Sequence, residues 1–268
     1  MDKATWGGVI LGVGGIVGGL LIEGGKLSQV LQPTAAMIVF GGTIGAVLIQ
    51  FPLPVVTDAA RQLARVFFEP QQNDMLRVQE LVEFAKQARR DGIVSLDNKL
   101  EKIVEPFLKK SLMLAVDGTE PQELRGIMDL ELSHKAELED RIPQVFESAG
   151  GFSPTIGIIG AVMGLIQVMQ HLDKIDEVGR GIAVAFVATL YGVGAANLFF
   201  LPSAGKLRTR IREEQVMREV TVEGVVCILE GMNPKMLETR LLGFLSKDKS
   251  KDGTTKDNDK DKTKPAAQ

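Results

Sequence analysis

Thr155, Thr189 and Tyr191 carry hydroxyls inside two apolar runs between Ser148 and Gly205, and Pro154 and Pro202 interrupt backbone hydrogen bonding in the same runs. An inert membrane anchor has no need of hydroxyls and prolines at depth. A self-sufficient proton carrier needs a titratable side chain there, and neither run has an Asp, Glu, Lys, Arg or His in its core. Threonine can donate to a carboxylate and accept from a water chain. Proline frees a carbonyl one turn back, which can bind water or support a hinge. Together these residues describe one wall of an ion path whose carboxylate comes from another protein. Bland accounts stand beside this one. A mid-span threonine commonly bonds its own i−4 carbonyl, Pro154 can open a helix, and Pro202 can be an interfacial kink.

The elements that position this wall follow from charge segregation. The 268-residue chain is 45% hydrophobic with a net charge of −3. Residues 4–22, 27–57, 148–172 and 181–205 hold no charged residue except the terminal His171. At about 1.5 Å per residue each can cross a ~30 Å hydrocarbon layer, with spans placed near 4–22, 33–51, 152–171 and 181–202. The first run reads as a span, since it is too long and too lightly flanked for a cleaved leader. Arg61, Arg65, Arg141, Lys206, Arg208, Arg210 and Arg212 flank the runs on one side, against Lys26, Lys174 and Arg180 on the other. The positive-inside rule puts both termini and the middle segment in the cytoplasm.

The expected fold is therefore an all-α membrane protein. Residues 1–57 hold spans one and two, 58–147 a cytoplasmic helical domain, 148–205 spans three and four, and 206–245 further cytoplasmic helices. Residues 246–268, rich in Lys and Asp, are expected to be disordered. Gly8 and Gly12, Gly14 and Gly18, Gly15 and Gly19, and Gly41 and Gly45 follow small-xxx-small spacing, which predicts helix packing within or between subunits. In the middle segment Leu81, Phe84, Ala85 and Ala88 share a helical face. Gly92 reads as a stop, Ser95 as the N-cap of a helix through Leu114, and Thr119 to Gln122 as a capping box.

Four stretches carry a family resemblance: Ser153-Pro154-Thr155-Ile156-Gly157-Ile158-Ile159-Gly160-Ala161-Val162-Met163-Gly164-Leu165, Ala188-Thr189-Leu190-Tyr191-Gly192 with Pro202 following, Ala88 to Leu96, and Gly231-Met232-Asn233-Pro234. Over about residues 1–245 the chain resembles the MotA-type stator subunits of the MotA/TolQ/ExbB proton channel family. The resemblance implies a ring-shaped homo-oligomer, five subunits around a MotB-like partner anchored in peptidoglycan. That partner supplies the proton-carrying Asp, and the ring turns against the rotor switch protein FliG. It implies an inner-membrane location, an ion path along Pro154, Thr155, Ala161, Thr189 and Pro202, and rotor contact through Arg89 and Asp97, with Arg90 adjacent. Sodium-driven members carry threonine where this chain has Ala161, so proton coupling is expected.

Other classes fit less well. A TolQ- or ExbB-like energiser has one span before its large loop, where this chain has two. A non-conducting scaffold explains the glycines but not the threonines and prolines. No enzyme, cofactor, metal or nucleic-acid role is expected. His134 and His171 stand apart, Cys227 is a lone cysteine expected to pack as a small hydrophobe, and the glycine-rich runs lack a P-loop lysine.

Overall fold

The computed structural model describes residues 2–68 and 74–253, with side chains through residue 245. These residues are helical throughout, with no strand among them. Four helices are long and apolar enough to cross a membrane: Lys3–Ile22, Pro33–Gln50, and stretches within Pro121–Gln170 and Ile175–Leu229. The chain divides into two units, Met1–Gln71 with Glu137–Ile211, and Gln72–Ala136 with Arg212–Gln268.

In the first unit α1 (Lys3–Ile22) opens on Asp2, whose Oδ1 accepts from the amides of Ala4 at 3.0 Å and Thr5 at 3.3 Å. The short α2 (Leu27–Val30) leads to α3 (Pro33–Gln50), where Pro33 suits the first turn because its N–H would be unpaired anyway. Pro52 then starts the amphipathic α4 (Leu53–Gln62), followed by α5 (Ala64–Phe67). Val47, Ala59, Val66, Val145, Phe146 and Leu207 form a core at one end of the unit. Ala35, Val39, Val187 and Ala188 form a second.

The second unit holds α6 (Asp74–Asp91), a 3-10 turn (Ile93–Leu96), α7 (Asp97–Leu100) and α8 (Pro106–Val116). The helix α9 (Pro121–Gln170) begins here and carries residues of both units, as does α11 (Leu201–Leu229). A last helix, α12 (Pro234–Gly253), follows Asn233, whose Oδ1 accepts from the Lys235 amide at 3.0 Å. Leu81, Leu108, Leu112, Leu124, Val220 and Leu237 are fully buried in its core. Cys227 packs there too, and burial raises its thiol pKa to about 11.

Three local readings change. Ser95 does not cap a helix through Leu114; its hydroxyl donates to the Gly92 carbonyl at 2.6 Å inside the 3-10 turn. The helix breaks between Leu100 and Pro106 because a residue preceding proline is pushed out of the α region. Thr119 likewise ends α8 instead of capping α9: its amide bonds the Leu114 carbonyl at 3.1 Å, beside Gly118 at φ +84°. Residues 246–253, expected to lack order, extend α12, and residues 254–268 lie outside the described residues.

Within this chain the small-xxx-small glycines of α1 and α3 face open space, apart from Gly12. A Cβ at Gly8, Gly14, Gly15, Gly18, Gly19, Gly41 or Gly45 meets nothing within 4 Å, and only Gly12 approaches a neighbour, Leu198 at 3.1 Å. Small residues permit close approach without saying which chain approaches. No residue of α1 is buried.

In the second unit one carboxylate ties three helices. Glu223 on α11, nearly buried, accepts from Arg125 of α9 and Arg240 of α12, each at 2.5 Å. Removing it strips both guanidinium groups of their acceptor. Glu223→Ala is expected to cost roughly 1–3 kcal/mol and to lower the thermal midpoint of the detergent-solubilised protein, while the Arg240→Ala change costs less because Arg240 is half exposed.

Candidate functional site

The apolar hairpin of α9 and α10 (Ile175–Ala195) closes on a seam of small residues. A Cβ at Gly157 would lie 2.9 Å from the Ala188 carbonyl oxygen, and one at Gly164 would lie 2.8 Å from that of Gly181. At Gly192 it would fall 2.5 Å from the Ser153 carbonyl oxygen and 3.1 Å from the Gly157 Cα. Backbone meets backbone where Gly157 lies against Ala188 and Gly192 and where Gly164 lies against Gly181 and Ala185, while Gly160 faces the side chains of Ala188 and Ile38. In lipid, close packing of this kind replaces the hydrophobic drive between helices.

The seam sets where the side chains expected along an ion path stand. At about 100° per residue, Pro154 and Ala161 lie roughly 80–100° round α9 from the seam, and Thr189 lies about 80° round α10. Because the helices are antiparallel, these positions flank the seam on the same side. Phe186 (74% exposed) and Val193 share that side of α10. Thr189 sits against Gly157, so along α9 it stands about 6 Å from the level of Ala161. Thr155 departs from this grouping. It is exposed and about 180° from the seam on α9.

Both threonine hydroxyls are held by their own backbone. Thr155 Oγ1 donates to the Phe152 carbonyl at 2.8 Å, and Thr189 Oγ1 to that of Ala185 at 3.3 Å. Each oxygen keeps lone pairs free, so in this state the threonines accept and do not donate. The Thr189 bond is long enough to exchange easily for another acceptor. Next to Pro154, Ser153 is fully buried and its hydroxyl has no partner among the described residues.

Pro202 stands exposed in the first turn of α11, directly after a π-helical turn at Ala196–Phe200. There the Leu201 amide reaches back five residues to the Ala196 carbonyl. Proline has no N–H, so the wider turn and the missing donor loosen the same stretch of span. Within the turn Asn197, an exposed amide, donates to the Val193 carbonyl at 2.9 Å. Sequence reasoning passed over Asn197; an amide in an otherwise apolar stretch was the signal. Tyr191 takes a structural place: its hydroxyl donates to the Val30 carbonyl at 2.5 Å and accepts from the Gln32 amide at 3.2 Å. It thereby satisfies backbone groups left open where α3 begins.

The charged positions of the second unit gather at the corner between α6 and α7. Gly92, at φ +83°, turns the chain out of α6, and Gln87 Nε2 donates to the Ser95 carbonyl at 3.0 Å. Arg89 and Asp97 are exposed on this corner, and neither forms an ion pair among the described residues. Arg90 makes a two-pronged bond to Asp91 at 3.0 and 2.9 Å. The pairing raises the Arg90 pKa and holds the Asp91 carboxyl below its usual range. Arg90 is thus paired with Asp91, while Arg89 is an exposed cation with no ion pair among the described residues.

Another charge cluster closes the end of α1. Asp2 Oδ2 accepts from Lys206 and from Arg210 at 3.0 Å, and Arg210 also donates to the Phe68 carbonyl at 2.6 Å. The Lys206 ammonium holds the Asp2 carboxyl well below the usual carboxylate range, so this clamp stays ionised. Among the described residues no three His, Cys, Asp or Glu side chains converge on a metal position.

The chain is similar to known proteins along nearly its whole length. Sequence profiles match for the MotA/TolQ/ExbB proton channel family over residues 99–220 and for the motility protein A N-terminal region over residues 6–92. Motility protein A of Bacillus subtilis (strain 168) is 38% identical over 256 residues, covering 94% of each chain. The chain belongs to the MotA/TolQ/ExbB proton channel family. Chemotaxis protein PomA of Vibrio alginolyticus is 29% identical, covering 93% of this chain and 97% of the relative. The solved flagellar MotAB stator complex from Bacillus subtilis superposes with a TM-score of 0.83 at 36% identity, covering 93% of this chain and 99% of that one. A C. jejuni MotAB structure gives 0.87 at 32% identity, covering 92% and 97%.

The seam makes a sharp prediction. Gly192→Ala is expected to force the hairpin apart, since its Cβ meets backbone, at a cost of about 1–3 kcal/mol. Gly194→Ala, with nothing within 4 Å, is expected to be neutral or slightly stabilising. Thermal unfolding of the two variants in the same detergent checks the difference.

Proposed function

We propose that this chain is the ion-conducting subunit of a flagellar stator, coupling proton flow with a MotB-like partner to torque on the rotor. The observation that carries the reading is the flank of the α9–α10 seam. Pro154, Ala161 and Thr189 share one side of a tightly closed hairpin whose apolar stretches, residues 148–170 and 181–205, hold no Asp, Glu, Lys, Arg or His. A wall so built can guide a proton only past a carboxylate on another chain. The solved relatives are MotAB assemblies. The match of the motility protein A N-terminal profile across the first two spans favours this over a TolQ- or ExbB-like energiser.

The wall's hydrogen bonding suggests how it acts. With both hydroxyl protons given to backbone carbonyls, Thr155 and Thr189 present lone pairs, which suit a protonated carboxyl better than a carboxylate. A partner Asp facing Thr189 is held neutral until the Thr189 hydroxyl swings from Ala185 and donates to the anion. Sodium needs several oxygen ligands to replace its hydration shell, and Ala161 contributes none. A proton needs a carboxylate and water, with the carbonyls freed near Pro154 and Pro202 continuing the path.

The rest of the reading follows the family. Five copies close a ring around two partner helices in the inner membrane, with both termini and the second unit in the cytoplasm. The exposed small-residue surface of α1 is turned to lipid or a neighbouring copy. Arg89 and Asp97 engage the rotor protein FliG, with Arg90 subordinate because it is already paired with Asp91. The chain is given no enzymatic reaction, cofactor or nucleic-acid partner.

Two experiments test this. In a strain relying on this stator, swimming speed is expected to be flat across sodium concentrations at constant pH and to collapse with a proton uncoupler. Speed that climbs with sodium and survives the uncoupler rejects proton coupling. An Arg89→Glu, Asp97→Lys double variant is expected to insert and bind its partner normally yet abolish motility, since exposed charges carry little stability. Normal swimming by that variant removes the corner from the rotor interface.

A further inference from the structure

Beside the clamp at the charged end of α1 lies an open cleft of about 350 Å³ between α1, α5 and the region around Pro202. Val9, Val66, Phe67, Leu198 and Phe199 give it an apolar lining, and Lys206 stands at its edge. Its size falls in the range of small-molecule sites, about 300–1,000 Å³. We propose that this cleft binds one anionic phospholipid, with an acyl chain against the apolar lining and the headgroup phosphate on Lys206.

Charge and position support that occupant. Lys206 and Arg210 share a single carboxylate, Asp2, so two cations face one anion and a positive charge is left over. Arg210 is buried and directs its guanidinium at Asp2 and the Phe68 carbonyl. The Lys206 side chain is 36% exposed, and only one of its three hydrogens is needed by Asp2. An ammonium with hydrogens to give, at the end of a transmembrane helix and above an apolar slot, matches a phosphodiester with a chain attached. Basic pockets between transmembrane helices recur as anionic-lipid sites. The cleft is lined in part by Ala4, Thr5, Gly8 and Val9 of α1, a helix with no buried residue, so the medium that solvates α1 also reaches the cleft.

Occupancy has a mechanical consequence, because Pro202 and Asn197 are on the cleft wall. A bound chain braces the π-helical turn and the proline that follows it, and its loss leaves that stretch free to bend. The proposal rests on the cleft and its charges and is independent of the stator reading.

The test is retention of lipid by the full-length protein. The protein is reconstituted in vesicles of phosphatidylcholine with phosphatidylglycerol, extracted in mild detergent, and weighed by native mass spectrometry. Phosphatidylglycerol is expected to be retained at one copy per chain, with phosphatidylcholine absent and added inorganic phosphate failing to displace it. Gly8 lines the cleft and a Cβ there meets nothing within 4 Å, so Gly8→Leu adds apolar bulk to the slot from its wall. Retention is expected to fall about tenfold in Gly8→Leu and in Ala4→Leu, but not in Gly14→Leu, on the same helix away from the cleft. Equal retention of both headgroups, or no loss in either cleft variant when thermal midpoint and particle mass match the wild type, overturns the proposal. Displacement by inorganic phosphate alone, or cross-linking of a cysteine at Gly8 to a second copy, overturns it equally, since the occupant is then an ion or a neighbour.

Discussion

Everything argued for the ion path depends on two backbones touching. Between Gly157 and Gly192, and again between Gly164 and Gly181, added Cβ atoms would fall 2.5–3.2 Å from main-chain atoms of the facing helix. Such contact fixes the rotation of each helix about its axis, because only one face of each is bare enough to fit. Rotation decides which residues share a wall. Ala161 and Thr189 are thus placed on one flank by glycines that themselves do no chemistry. In hydrocarbon, where apolar side chains gain nothing by leaving lipid, this is among the few ways two helices are held in a single register.

The same constraint explains why the wall can be so sparsely polar. A strongly binding wall would trap an ion, and conduction needs sites that release what they take. Threonines whose protons are already bound by Phe152 and Ala185 offer modest acceptors only. Buried Ser153 and the π-helical turn before Pro202 add unsatisfied or loosened polar groups nearby, without charge. Thr155 points from the far side of α9. A path that uses both threonines therefore wraps around that helix, which one chain alone does not enclose.

Much of this was legible in the residues, for a physical reason. Charge is excluded from hydrocarbon so strongly that the four apolar runs are visible without knowing any contact, and the termini of α6, α9 and α12 carry glycine or proline where the chain must turn. Packing partners were not legible. The small-xxx-small spacing drew attention to α1 and α3, whereas the seam lies between α9 and α10, where Gly157, Gly160 and Gly164 also carried the family motif. Spacing reports what a helix permits, while the identity of its neighbour is a tertiary fact.

The polar residues divide in the same way. Thr155, Thr189 and the prolines were readable because their type is unusual at depth. Tyr191 stood in the same motif, yet its work is to close two backbone groups near the start of α3, more than 150 residues away in sequence. Asp2 drew no notice as a terminal residue; only the fold brings Lys206 and Arg210 to it and makes it the anchor of α1. A side chain whose role is set by its own helix can be read from its neighbours in the chain. One whose role is to satisfy a distant element cannot, and at Tyr191 and Asp2 those distant bonds hold the wall's outer helices against it.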